Sequence, residues 1–373
     1  MEKVTKTVLI AIVGVAVAGS LWFATSGQSK REMGPITVGF IGALTGDAAS
    51  IGTVDKAGAE LAVEEINASG GVNGRPLNVI YEDGQCSATA ASNAANKLMD
   101  VDKVPVILGG LCSTETSAFA PAAMQKKTVV FSYCSSAPSL SKTGKYFFRD
   151  YPSDLLEGKV MAEYAYNTLG AHKIYILYHI SDWGTGIKDV FSKRFQELGG
   201  TIVGVEGAPQ ESRDYKTALT KINSSGAKFV YAPMYPEGSI VALKEAKELG
   251  ITAQFIGGDT WDDPKFQETV KNLGTFIYPK IETMATADFN QKIQAKTGVK
   301  DIPICVTQAY DAMHILAQAL SKAGTNPDAL SDALRATSYD GTSGHIEFDQ
   351  NGDVIGGSYS FKKIHGGTVE TIK

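Results

Sequence analysis

The chain lacks a basic surplus, a metal-ligand pattern and a nucleotide-binding loop. Its 35 Lys and Arg stand against 40 Asp and Glu, a net charge of −5 over 373 residues. No basic patch stands out, which argues against a nucleic-acid partner. Four Cys are too few for a disulfide scaffold, though they suit one or two bridges in an oxidising compartment. The five His are scattered, with no His-x-x-x-His or Cys-x-x-Cys set, so no metal site is expected. There is no Walker A sequence and no Gly-x-Ser-x-Gly elbow. Gly184-Thr185-Gly186 begins a dinucleotide fingerprint, but Asp189 stands where the third glycine belongs. Asp349-x-Asn351-x-Asp353 begins like a calcium loop, yet Val354 and Ser360 occupy the Gly and Glu positions. A hairpin turn explains it better. Cys134 as a nucleophile has no His placed to activate it. No cofactor and no catalysis are expected.

Long apolar runs are also missing, with one exception. Lys3 and Lys6 precede an apolar stretch from Val8 to about Ala24, followed by Thr25, Ser26 and Gly27. A basic start, an apolar middle and a small-residue exit describe a secretory signal peptide over residues 1–26, with Ala24 and Ser26 at the −3 and −1 positions. Its removal takes away two Lys and one Glu, leaving 33 basic and 39 acidic residues. The competing reading is an uncleaved anchor, for which the run is short. No Cys follows it to carry a lipid. Either way the body of the protein lies outside the cytoplasm.

What is present is a rhythm. Ile36–Gly42, Leu77–Asp83, Val104–Leu108 and Val129–Phe131 read as strands, alternating with helical segments such as Gly52–Asn67 and the Ala-rich run 88–99. The rhythm restarts at His172–Leu177, Thr201–Val205, Lys228–Ala232 and Gln254–Gly258, with helices at 187–198, 215–224 and 239–249. From about Lys280 it loosens into helices at 310–323 and 327–336, then two short strands, 345–349 and 359–361, around Asn351-Gly352-Asp353. Strands alternating with helices predict an α/β chain of two doubly wound, parallel-sheet lobes. Ligands of such sheets bind beyond the C-terminal strand ends, and two facing lobes enclose a cleft.

The most informative stretch is Val104 to Thr116. An apolar strand breaks at Gly109-Gly110 and restarts as a helix with Ser113 or Thr114 as N-cap. Free backbone N–H groups and the positive helix end favour an anion there. On other strand ends, Cys134-Ser135-Ser136 offers hydroxyls and carbonyls, Asp259 a carboxylate, and Trp183 and Tyr235 aromatic walls. Each alone is an ordinary turn, cap or core residue. Together they suit a zwitterion, whose two charges must both be matched when a cleft closes. Cys86 and Cys112 fall on one edge of the first sheet, 26 residues apart. A bridge between them would add about 3 kcal/mol. Cys134 and Cys305 either pair, or Cys134 is a small liner of the cleft.

An ordered set of segments resembles the branched-chain amino-acid (Leu/Ile/Val) binding proteins, type I periplasmic binding proteins that feed ABC importers. It comprises Ile41-Gly42-Ala43-Leu44-Thr45-Gly46, Gly70-Gly71-Val72-Asn73-Gly74, Asp83, Cys86, Gly110 to Thr116, Ser136-Ala137-Pro138, Asp182-Trp183-Gly184 and Tyr235-Pro236-Glu237. The resemblance covers about residues 35–365. It implies two Rossmann-like lobes joined by a multi-strand hinge, with one lobe from residues 35–153 and 283–345 and the other from 154–282 and 346–373. It implies that the hydroxyl of Ser113 binds the ligand carboxylate. Cys134 and Ser136 supply a carbonyl and a hydroxyl, and Asp259, where relatives have Glu, holds the ammonium. Trp183 closes over the ligand, and the next aromatic wall falls at Met234 or Tyr235. Ile51 stands where several relatives carry an aromatic. The expected protein is a monomeric, periplasmic carrier of an aliphatic α-amino acid that docks on an ABC permease in the inner membrane. The alternatives are a membrane-tethered sensor of the same fold and a binder of a small amide, urea or aromatic acid. Mass spectrometry of the mature protein is expected to show residues 1–26 absent; their retention would favour the tethered sensor.

Overall fold

A computed structural model describes residues 34–372, so the expected signal segment lies outside it. From Ile36 onward the chain forms one compact unit with two parallel sheets. The first joins β1 (Ile36–Gly42), β2 (Leu77–Asp83), β3 (Val106–Leu108), β4 (Val129–Ser132) and β5 (Phe147–Arg149) in the order β2-β1-β3-β4-β5. Every pairing in it is parallel. The second joins β6 (Lys173–Ile180), β7 (Thr201–Pro209), β8 (Phe229–Ala232), β9 (Gln254–Gly257) and β10 (Phe276–Ile281) in the order β7-β6-β8-β9-β10, again parallel. The two orders are the same winding used twice. A separate hairpin pairs β11 (Ser338–Gly341) with β12 (Gly344–Glu347). The antiparallel strands β13 (Tyr359–His365) and β14 (Thr368–Ile372) then extend the second sheet beyond β10.

The strands are apolar on both faces because helices cover both. Alternation sorts their side chains into separate cores. Val106, Leu108 and Phe131 pack with helices Ala49–Ala68 and Val306–Ala323. Ile107, Val130 and Phe147 pack with Ala91, Ala95 and Phe119 of helices Ala88–Asn96 and Ser113–Lys126 on the other side. In the second lobe, Leu177, Val230 and Phe255 belong to one core, and Ile176, Tyr231 and Ile256 to the other. Among the described residues no helix is long and apolar enough to cross a membrane, and no cluster of three or more His, Cys, Asp or Glu could hold a metal.

The chain passes between the sheets three times, after β5, after β10 and before β13. The last passage comes later than expected. Residues 346–354, expected in the second lobe, stay with the first, where Ile346 and Phe348 lie in its core. There Phe348 meets the Phe131 and Phe148 rings edge-on at 5.6 and 5.4 Å, and Asp353 pairs with buried Arg149 at 2.6 Å. The segments 345–349 and 359–361 therefore do not form one hairpin. The first pairs with β11 and the second with β10 and β14. The apolar residues were read correctly as strands, but their partners lie elsewhere in the chain.

Cys86 is joined to Cys112, and Cys134 to Cys305. The first bridge ties the end of one strand–helix connection to the next. The second joins the segment after β4 to the start of helix Val306–Ala323, 171 residues away. Replacing both Cys86 and Cys112 by Ser is expected to lower stability to urea by about 3 kcal/mol, the loop-closure contribution of such a bridge; an unchanged unfolding midpoint would show that the bridge adds nothing.

Candidate functional site

In each sheet the strand order reverses between the first strand and the third, β1/β3 in one lobe and β6/β8 in the other. Connections leave such a point in opposite directions, and a crevice opens at the C-terminal strand ends. Ser113, Trp183, Met234 and Tyr235 leave these strands, while Cys134, Ser135 and Ser136 follow the neighbouring β4 and Asp259 follows β9.

The exit of β3 is tightly built. Gly109 has φ +142°, and a Cβ there would lie 2.3 Å from the Ile41 carbonyl oxygen, so only glycine fits. Gly110 N–H donates to Thr116 Oγ1 at 2.8 Å. The helix begins one residue earlier than expected: Cys112 is the N-cap and Ser113 the first helical residue. The reason is Glu115, whose carboxylate accepts from the N–H groups of Cys112 at 2.9 Å and Cys86 at 3.0 Å. It thus clamps both bridged cysteines. Burial drives its pKa up to about 7, against the opposing pull of those backbone donors. Ser113 is freed from capping, and its Oγ accepts from Ala137 N–H at 3.0 Å.

The segment after β4 is held from behind. Arg149, fully buried, donates to the carbonyls of Ser135 and Ala137 at 3.3 and 2.9 Å and to Ser141 Oγ at 2.9 Å. Ser135 turns inward, with its Oγ 2.7 Å from Thr116 Oγ1 and 3.0 Å from the Gly110 carbonyl. It braces the two exits against each other.

In the second lobe Ser181 caps the helix Asp182–Glu197 by accepting from Gly184 N–H at 3.0 Å. Asp182-Trp183-Gly184 is therefore the first helical turn and not a loop, and Trp183 sits on it at a fixed angle. His179 orders the other wall. Its Nδ1 accepts from Tyr235 N–H at 3.1 Å and its Nε2 faces Tyr215 Oη at 3.0 Å, which fixes a neutral ring protonated on Nε2. The Tyr235 and Trp183 rings lie 5.0 Å apart. Asp259, 2% exposed, follows β9 and accepts from Tyr151 Oη at 2.6 Å through Oδ2. Tyr151 belongs to the first crossing between the sheets, so this bond spans the cleft.

These exits enclose a cavity lined by Ile51, Leu111, Ser113, Cys134, Ser136, Tyr151, Trp183, Tyr235, Asp259, Thr260 and Ile304. Its free space is about 20 Å³, the scale of one water molecule. The lobes stand closed over it: Trp183, Ile187 and Tyr235 pack into the first-lobe core, Asp182 N–H donates to Thr114 Oγ1 at 3.3 Å, and Arg213 pairs with Asp47. Ser113, Cys134, Ser136, Trp183, Tyr235 and Asp259 come together as the sequence predicts. Ser135 and Met234 do not line the cavity. Ser135 is consumed by the bonds above. Met234 points into the second core and meets the site region only through its carbonyl, which accepts from Thr260 Oγ1 at 3.0 Å.

A family model described as "Periplasmic binding protein" matches residues 35–367. The chain belongs to the periplasmic binding protein family. It is 25% identical over 377 residues to the leucine-, isoleucine-, valine-, threonine- and alanine-binding protein of Pseudomonas aeruginosa, covering 98% of each chain. The leucine-binding protein LivK of Thermotoga maritima superposes with a TM-score of 0.83 at 25% identity, over 91% of this chain and 98% of that one. An R. palustris solute-binding protein in complex with benzoate superposes with a TM-score of 0.82 at 18% identity, over 91% of this chain and 95% of that one, a likeness of fold alone. The family is one of solute-binding proteins, and its members are periplasmic.

The sequence of this periplasmic binding protein does not single out Tyr151, Asp154 and Glu157, nor Thr260 and Ile304 on the cavity wall. Ser153 caps the helix Asp154–Glu163, and the acids sit in its first turn, where carboxylates are ordinary partners of the helix dipole. Nothing in the sequence separates such a pair from two solvated side chains. His179 was likewise unremarked. Burial, with the Arg213 charge in support, pushes its pKa from 6.5 down to about 3. A depressed histidine contributes stability above its unfolded value and loses it as pH falls through the interval to the folded value. His179→Asn, which keeps an acceptor for Tyr235 N–H, is expected to show a shallower fall in Tm between pH 6.5 and 4 than the parent; equal slopes would remove His179 from the acid response.

Proposed function

We propose that this periplasmic binding protein captures an aliphatic α-amino acid between its lobes and delivers it to an ABC permease. The observation that carries the reading is that one cavity is lined by donors on one lobe and a carboxylate on the other. Ser113 stands at the start of the helix Ser113–Lys126, where N–H groups and the helix dipole favour a carboxylate. Asp259 faces it from the second lobe. An ammonium between Asp259, the Ser136 hydroxyl and the Cys134 carbonyl would find three acceptors for its three N–H bonds. Ile51, Leu111, Ile304, Trp183 and Tyr235 leave an apolar surround for the side chain. The names of the relatives, which bind leucine and its neighbours, support the same ligand class.

The closed cavity is too small for such a ligand to enter unaided. Capture therefore begins with the lobes apart and ends with their closure about the three crossing segments, a hinge motion. Tyr151 and Asp182 then make their cross-cleft bonds only in the closed form, which is the form a permease would recognise. Asp259 disfavours a ligand bearing only a carboxylate, such as an aromatic acid, because like charges would meet in a dry site.

A thermal-shift screen over amino acids, small amides and aromatic acids is expected to raise Tm with aliphatic amino acids, by mass action of the bound ligand. In calorimetry, Asp259→Ala is expected to abolish that binding and Ser113→Ala to weaken it by about 1–3 kcal/mol. Amino-acid affinity unchanged in Asp259→Ala, or hits confined to amides or aromatic acids, would overturn the reading.

A further inference from the structure

The wall behind Asp259 holds more acid than one ammonium can match. Asp154 and Glu157 lie one turn apart at the start of the helix Asp154–Glu163, and neither has any exposed surface. Glu157 Oε1 accepts from the backbone N–H of Asp259 at 3.1 Å. Its Oε2 and both oxygens of Asp154 are buried with no hydrogen-bond donor. The Glu157 side chain lies within hydrogen-bonding reach of the Asp259 carboxylate. A carboxylate oxygen that is dry, has no donor and sits beside a second carboxylate is best accounted for by a proton on one of the two.

The surroundings supply no uncommitted cation to change that. Facing the acids are Tyr151 from the first crossing, Tyr231 from β8 and Tyr359 from β13. The Tyr231 and Tyr359 hydroxyls have no partner, and Tyr151 is bonded to Asp259. Arg149 lies near Asp154, but its guanidinium is committed to Asp353, Ser141 and two carbonyls. The Trp183 and Ser136 side chains approach Asp154 and oppose its desolvation. No Lys or His is among the groups acting on the three acids. Burial first, then the neighbouring carboxylates, drives Glu157 and Asp154 well above the usual carboxylate range. Asp259 is also raised by burial, but Glu157 and Tyr151 pull it back. Asp259 receives the Tyr151 hydroxyl at 2.6 Å, whereas Glu157 Oε2 is buried with no donor, so the proton belongs on Glu157 and the charge on Asp259.

We propose that Glu157 is a positioning residue that keeps a proton and uses it to donate a hydrogen bond to the Asp259 carboxylate, leaving Asp259 as the charged acid that meets the ligand's ammonium. This rests on the amino-acid reading above for the ligand, but not for the proton. Glu157 binds the N–H of Asp259 through one oxygen and donates to its side chain through the other. With Tyr151 it gives Asp259 two donated hydrogen bonds, so that one carboxylate stays ionised without water. Gln can do both tasks, with its carbonyl and its NH₂; Ala can do neither.

The test compares the full chain with E157Q and E157A. Carboxyl-carbon NMR of the unliganded protein at pH 7 is expected to show a protonated Glu side chain that disappears in E157Q, a criterion that sets it apart from Glu115. With L-leucine as probe, calorimetry from pH 6 to 8 is expected to give E157Q an affinity within about twofold of the parent. E157A is expected to be weaker by about tenfold or more. Absence of the protonated resonance overturns the proposal, as does E157Q binding as weakly as E157A, because an ionised Glu157 would then be what holds the ammonium. If the parent binds no amino acid yet shows the resonance, the ligand reading falls and the assignment of the proton to Glu157 stands. Should E157A fail to fold, the resonance and the E157Q affinity still decide.

Discussion

Asp259 is a carboxylate with almost no contact with water, and such a group destabilises a closed cleft by several kcal/mol unless donors surround it. Much of the architecture answers that requirement. Tyr151 reaches it from the segment that crosses between the sheets. Its own backbone N–H is tied to Glu157, one turn into the next helix. Trp183 packs against Gly258, the residue before it, where a Cβ would come within 3.1 Å of the indole. Because Tyr151 sits in the segment that crosses between the lobes, its bond to Asp259 forms where the lobes meet. That suits a ligand whose capture and whose enclosure are the same event.

The opposite side of the cleft solves the complementary problem without a formal charge. Ser113 and the first helical N–H groups are presented by a turn that only glycine can make at Gly109. The turn is locked by Glu115 on the amides of Cys86 and Cys112, and the disulfide between those cysteines ties the same two points covalently. Arg149 performs the matching task for the Ser135–Ala137 segment. The donors are therefore rigid in the first lobe, while the carboxylate and the aromatic walls arrive with the second. Rigid presentation on one side reduces the ordering cost that binding would otherwise carry. His179 extends the pattern to the aromatic wall: a buried neutral imidazole between Tyr235 N–H and Tyr215 sets the ring orientation.

The leucine-binding protein of T. maritima and a solute-binding protein in complex with benzoate share this fold at similar TM-scores, so the winding of the two lobes does not by itself choose the ligand. The same strand order places the exits of β1, β3, β4, β6, β8 and β9 around a cleft whatever the residues on them. In the proposed function, selection rests on a handful of side chains that line the cavity: a hydroxyl at a helix start, an acid after β9, and the walls at Ile51, Ile304, Trp183 and Tyr235. That separation explains how sequences 25% identical or less share the fold so fully.

Strand and helix positions were legible because each is a local pattern: a fully apolar run such as Val106-Ile107-Leu108, or an Ala-rich stretch with helical spacing. The two-lobed α/β fold followed from their alternation. So did the candidates on strand exits, Ser113, Ser136, Trp183, Tyr235 and Asp259, because an exit loop is recognised by where its strand ends. What depended on contacts distant in the chain was not legible. Ser135 and Ser136 are adjacent and chemically identical, and only packing against Thr116 turned one inward and left the other on the cavity. Phe348 was placed with the wrong lobe because its partners, Phe131 and Phe148, lie some 200 residues earlier. Asp154, Glu157 and Tyr151 looked like ordinary helix-start residues. Burial beside Asp259 gives them their meaning, and burial is decided by three crossings of the chain that bring residue 151 against residue 259.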